Sequence, residues 1–228
     1  MVLLALLALF CATGIRTLEE KGKENERRAL TPEDPEYRRE FFCDDMRRET
    51  ELLSRECRNL LENVEKEAVY FPIPLSSADR SLQISYTDSW MKERSYKGVS
   101  GHEGTDLMAS CNERGVYPVL SICDGVVTNL GWLEKGGYRI GITSDSGTYY
   151  YYAHLDSYGN LKEGERVRAG ELLGYMGDSG YGPEGTTGKF DVHLHLGIYL
   201  YRDGTEISLN PYYLLRHLEK HKLIYSYF

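Results

Sequence analysis

The chain has 228 residues, 41% of them hydrophobic, enough for one packed domain with an extension or for two small domains. Its 27 Lys and Arg against 35 Asp and Glu leave a net charge of −8 with no basic stripe, which excludes nucleic acid as an expected partner. The five cysteines form no C-x-x-C pair; Cys43 and Cys57 would stand about 21 Å apart along one helix, beyond disulfide reach, while a Cys111–Cys123 bond stays open.

Residues 1–15 (MVLLALLALFCATGI) are apolar and uncharged, and read as a signal peptide or a truncated membrane anchor, because a complete span needs ~20 apolar residues. The expected location is the cell envelope after export, membrane-anchored through this segment or secreted. Residues 16–69 are charged and nearly free of glycine. Thr31-Pro32 and Asp34-Pro35 offer helix starts, and Phe42, Met46, Leu53, Leu60, Val64 and Ala68 recur at three-, four- and seven-residue steps. Arg47/Glu51, Glu51/Arg55 and Glu62/Lys66 supply i,i+4 ion pairs, so a long N-terminal helix is expected, serving as spacer, dimerising coiled coil or contact for an envelope protein.

Phe71-Pro-Ile-Pro74 ends that helix by sterics and loss of N–H donors, and opens a domain over residues 70–228. There the pattern changes to short runs rich in Val, Ile, Tyr and Leu: Val119–Ile122, Val126–Trp132, Tyr138–Thr143, Thr148–His154, Glu171–Met176 and Val192–Tyr201. Glu134-Lys-Gly-Gly137, Asp145-Ser-Gly147 and Asp203-Gly204 are hairpin turns. The expected fold is mainly β, an antiparallel sheet or open β-barrel. A short closing helix follows, with Asn210 as cap and Pro211 at its first position.

Three separated motifs carry chemistry. In Asp191-Val-His193-Leu-His195-Leu, strand alternation sends both imidazoles to one face and Val192, Leu194 and Leu196 to a core. In Gly101-His102-Glu-Gly-Thr-Asp106 the glycines favour a loop leading into a strand. In Thr148-Tyr-Tyr-Tyr-Tyr-Ala-His154, alternation would place Tyr150, Tyr152 and His154 on one face and Tyr149, Tyr151 and Ala153 on the other. Two imidazoles and a carboxylate suit Zn²⁺ and leave a fourth tetrahedral position for water. Strand geometry alone allows both His193 and His195 as ligands.

From about Phe71 to Tyr213 the chain resembles the lysostaphin/LytM-type zinc endopeptidases, which cleave peptide bonds of bacterial peptidoglycan and have an antiparallel β-fold. The resemblance implies one zinc per chain held by His102, Asp106 and His195. It implies catalytic roles for His154 and His193, one as base and the other, with Tyr96, stabilising an oxyanion; their division stays open. Peptides of peptidoglycan cross-links or stems are the implied substrate. The chain departs from many relatives over Ser179–Asp191, a longer segment read as one flexible loop walling the groove. Within it Gly180-Tyr-Gly-Pro-Glu-Gly185 matches a dinucleotide fingerprint, but Pro183 and the lack of a following helix exclude that use. His217 and His221 are expected on a solvated helix face. The competing function is a catalytically silent zinc-binding domain acting as scaffold or activator of another wall hydrolase.

Overall fold

The computed structural model describes residues 55–96, 100–202 and 205–228. The expected leader and the helical stretch before residue 55, with Phe42, Met46 and Leu53, lie outside the described residues. Two compact units divide the chain, Met1–Asn63 and Val64–Phe228.

A helix, α1, runs over Arg55–Glu67. Short strands follow at β1 (Leu75–Ser76), β2 (Ile84–Ser85), β3 (Glu93–Arg94) and β4 (Ser100–Gly101), then β5 (Thr105–Ala109), β6 (Pro118–Leu120), β7 (Gly125–Leu133) and β8 (Gly137–Thr143). The chain continues through β9 (Tyr149–Tyr158), β10 (Arg166–Val167), β11 (Leu172–Met176), β12 (His193–Arg202) and β13 (Thr205–Leu209). It closes with helix α2 (Tyr212–Leu218) and β14 (Ile224–Tyr225).

Among the described residues one ten-stranded sheet dominates, in the order β10-β7-β8-β9-β12-β5-β2, with β13 beside β12 and β11 bridging β6 and β9. Its pairs are antiparallel, and its end strands do not meet, so the sheet is open and not a closed barrel. β12 is the hub. One edge pairs with β5 through residues 193–196 and with β13 through 198–202, and the other pairs with β9 through 195–199.

The core lies on one face of this sheet. Leu194, Leu196 and Ile198 of β12 are at most 1% exposed, and Ile140 and Ile142 of β8 are fully buried. At about 1.5–3 kcal/mol for each fully buried aliphatic side chain, this face holds β12 in register and so turns the alternate residues, His193 and His195, away from the core. Val64 in the last turn of α1 and Ala68 just beyond it join the same core, as do Phe71 and Ile73 of the proline segment.

Two expectations need correction. Tyr150 and Tyr152 are fully buried core residues whose hydroxyls find partners inside it: Tyr150 donates to Glu67 Oε1 (2.8 Å), and Tyr152 accepts the Ile122 N–H (2.9 Å). His154 does not share their face. Its φ of +63° breaks the alternation, and Ala153, His154 and Leu155 are all buried in succession. A second correction concerns residues 179–191, expected as a flexible loop. The segment carries its own hydrogen bonds: Gly180 N–H to Thr186 O (2.9 Å), Thr186 N–H to Pro183 O (3.0 Å) and Gly188 N–H to Asp178 Oδ2 (3.0 Å). Gly182 N–H and Trp132 Nε1–H then join it to the β7–β8 hairpin.

α2 begins two residues beyond Asn210, whose Oδ1 accepts the Tyr212 N–H (3.0 Å). Cys111 and Cys123 are both free. The ring of His221 is anchored to the Val69 carbonyl at 3.2 Å.

Candidate metal centre

Asp106 and His195 are direct cross-strand partners, on β5 and β12. His102 precedes β5 and is fixed on both sides: its N–H donates to Lys92 O and its carbonyl accepts from Met91 N–H, each at 2.9 Å. Three atoms converge from these residues. His102 Nε2, Asp106 Oδ1 and His195 Nδ1 form a triangle with every edge 3.0 Å. His102 Nδ1 lies 3.2 Å from the Ser89 carbonyl and 3.0 Å from its hydroxyl. A carbonyl only accepts, so Nδ1 carries the proton and Nε2 turns a lone pair inward.

The donor set fits a cation. Asp106 Oδ1 and His102 Nε2 both offer lone pairs, so a single proton on His195 cannot satisfy all three edges of the triangle. Nitrogen and carboxylate oxygen in this number are the ligand types of an open zinc site. Among the described residues this is the one group of its kind. His193 stands outside the triangle, its Nε2 3.8 Å from Asp106 Oδ1.

Two supports of the triangle escape sequence reading. Arg94 Nη2 donates to Asp106 Oδ2, holding the carboxylate by the oxygen that does not enter the triangle. Gly104 lies against the His195 ring, where an added Cβ would stand 2.4 Å from Cε1 and 2.7 Å from the Leu196 carbonyl. Only glycine lets the His102–Asp106 segment pass this close.

His154 and His193 are a second pair, with ring centres 4.7 Å apart. His154 Nδ1–H donates to Ser179 O and His193 Nδ1–H to Asp191 O, both at 2.7 Å. Each tether leaves Nε2 with its lone pair. Ser179 is itself pinned, donating Oγ–H to Leu155 O (2.6 Å) and accepting Tyr138 N–H (3.0 Å). A left-handed backbone at a non-glycine residue costs about 1–2 kcal/mol, and these contacts hold His154 there. Phe190 packs edge-on against both rings, at 4.6 Å from His154 and 5.0 Å from His193.

Tyr96 is placed one aromatic layer further out. Its ring stacks on Tyr181 at 4.4 Å, and its hydroxyl donates to Glu134 Oε1 (3.2 Å). Tyr181 in turn meets Phe190 and His154. Ser179, Tyr181 and Phe190 all act on His154, which is distant from them in sequence, and no local spacing signals such contacts.

Burial, and then the neighbouring imidazoles, hold His154 well below the ordinary histidine value of 6.5. Burial also lowers His193 and His195. For Asp106 burial works to raise the carboxyl, but its contacts with His102 and His195 outweigh that and keep it ionised far below the usual range. At neutral pH the Asp106 carboxylate therefore stands beside neutral imidazoles at His154, His193 and His195, the protonation state that a metal ligand or a general base requires.

Comparison with known proteins places this arrangement. The profile of Peptidase family M23 matches residues 100–210. A solved structure from Ruminococcus gnavus, assigned as a glycyl-glycine endopeptidase lytM, is 52% identical and superposes with a TM-score of 0.68, covering 82% of this chain and 76% of that one. The L-Ala--D-Glu endopeptidase of Bacillus subtilis is 42% identical over 153 residues, 67% of this chain and 44% of that protein. Glycyl-glycine endopeptidase ALE-1 of Staphylococcus capitis is 32% identical over 115 residues, 44% of this chain and 30% of that protein. The chain thus spans less than half the length of these two relatives.

Proposed function

The chain belongs to peptidase family M23, and on that premise we propose that it is a zinc-dependent endopeptidase hydrolysing peptide bonds in the cross-links or stems of bacterial peptidoglycan. The observation that carries the reading is the 3.0 Å triangle of His102, Asp106 and His195 beside two neutral, tethered imidazoles. One zinc per chain would be held by that triangle. When bound, it would supply a Lewis acid for the scissile carbonyl and lower the pKa of water toward ~7.

The chain's own residues supply the rest. His154 and His193 both present Nε2 lone pairs, so both enter the reaction as proton acceptors. The one that takes the attacking water's proton becomes a donor, able to stabilise the oxyanion or protonate the leaving amine. Tyr96 can add an O–H donor to the oxyanion on exchanging its bond to Glu134. Phe190 and Tyr181 shield the imidazoles from bulk water and help keep them neutral.

The apolar residues 1–15 support export and retention in the cell envelope, and the charged stretch 16–69 a helical spacer or dimerising segment. The test is digestion of defined muropeptides bearing glycyl bridges, D-Ala-linked cross-links or stem peptides, with products weighed and zinc counted. Cleavage that tracks one zinc per chain is expected. A protein holding one metal, cutting nothing, and keeping its biological role as His154→Ala would instead be a scaffold or activator.

A further inference from the structure

The site face of the sheet holds a cation that the chemistry above does not use. Arg139 of β8 lies on the same face as Gly141, which pairs with Tyr151, and Tyr151 pairs with Gly197 two residues beyond His195. Arg139 falls opposite the β9 bulge at Ala153, and Ala153 pairs with His195, which pairs with Asp106. One row across the groove floor therefore reads Arg139, Ala153, His195, Asp106. At ~4.8 Å per strand, Arg139 is about 10 Å from the His195 backbone, with Ala153 between them and the Tyr151 ring alongside.

The guanidinium is partly buried, and two of its three nitrogens are uncompensated. Its Nε and Nη1 are inaccessible to solvent and lack any hydrogen-bond partner, and no carboxylate pairs with it among the described residues. Two tyrosines cross onto β8 on either side of it: a side chain at Gly136 would strike the Tyr151 hydroxyl, and one at Gly141 the Tyr149 ring. Guanidinium stays charged in proteins, and a buried charge without a partner is costly. Nη2 is not among these enclosed, unpartnered atoms, and through it the guanidinium can give a charge-assisted hydrogen bond to a carboxylate.

We propose that Arg139, walled by Tyr149 and Tyr151, is a subsite for a free carboxylate on the substrate peptide next to the scissile bond. A glutamyl residue offers such a group, and a glycyl bridge does not. The proposal rests on the endopeptidase reading and narrows it toward acidic stem peptides. The L-Ala--D-Glu specificity in the name of the Bacillus subtilis relative is compatible with that choice.

The test uses two stem peptides differing only in carboxylate or carboxamide at the glutamyl position, with kcat/KM measured for each on the zinc-loaded protein. Wild type should favour the acid by about 10- to 100-fold, the range of a charge-assisted hydrogen bond. Arg139→Gln should bring the ratio near one, and Arg139→Lys should leave an intermediate ratio, because the charge remains on a shorter, differently placed donor. Metal content and melting temperature establish that each variant is folded. Calorimetric binding of the same peptides to zinc-loaded His154→Ala gives a readout independent of turnover. Wild type without acid preference, or Arg139→Gln retaining it, overturns the proposal. If neither peptide is cut but His154→Ala still binds the acid more tightly, the subsite stands and the endopeptidase reading falls.

Discussion

The ligand triangle and the histidine pair beside it are built by opposite means. Asp106 and His195 are register partners on regular strands, and His102 is fixed by two backbone hydrogen bonds. His154 stands at a positive φ, and both it and His193 owe their ring orientation to carbonyls of Ser179 and Asp191, at the two ends of the 179–191 segment. Where sheet pairing places a group, the core sets its position; where a strained residue and a long loop place it, several separate contacts must agree. Metal retention and catalysis should therefore be separable.

The largest effect tests that separation. Asp106→Ala should reduce bound zinc from about one per chain to near zero and abolish hydrolysis, while His154→Ala keeps the metal and lowers kcat by about 10²–10⁴. Metal analysis and single-turnover rates on the same preparations check both. Joint loss of metal in His154→Ala would erase the distinction.

Next comes the close approach at Gly104. Gly104→Ala pushes on the His195 ring and the Leu196 carbonyl. It should weaken zinc binding about 10- to 100-fold, in the range of changes next to ligands, as read by competition with a chromogenic chelator.

The strain at His154 gives a smaller, opposite pair of changes. His154→Gly should be as inactive as His154→Ala yet more stable than it by about 1–2 kcal/mol, since glycine accepts φ of +63° without penalty. Urea unfolding of the two metal-free proteins measures this. Equal midpoints would mean that the backbone there is not strained.

The smallest effect is that of pH on the metal-free protein. His154, His193 and His195 have folded values below 6.5, so the unfolded chain binds more protons in the interval between the folded and unfolded values. Their contribution to stability is complete above about pH 6.5 and is lost as pH falls below it. A melting temperature flat above that pH and falling beneath it is expected. A rise on acidification would show that these imidazoles are charged in the folded state.

Much of the sheet was legible because strand alternation is local. β7, β8, β11 and β12 fall within two residues of the runs of Val, Ile, Leu and Tyr that announce them, and Val192, Leu194 and Leu196 are buried as their spacing requires. Asp203-Gly204, read as a turn, lies outside the described residues, and β13 after it was missed. Its Thr-Glu-Ile-Ser-Leu is short and polar, and pairing to β12 makes it a strand. The tyrosine run misled at its end, because the left-handed φ of His154 breaks the alternation that Tyr150 and Tyr152 obey. Tyr150 and Tyr152 are at home in the core because Glu67 and the Ile122 amide satisfy their hydroxyls from distant parts of the chain.

By itself, the sequence determined that His102 and Asp106 stand four residues apart around a glycine, and that His193 and His195 share a face of one strand. Those are consequences of short-range backbone geometry. Only the tertiary structure decided that His195 closes the triangle while His193 turns to Asp191 and His154. It also brought Arg94 to the second oxygen of Asp106 and Arg139 into the ligand row. These contacts depend on strand register and on one left-handed residue, and register is set by packing over the whole sheet.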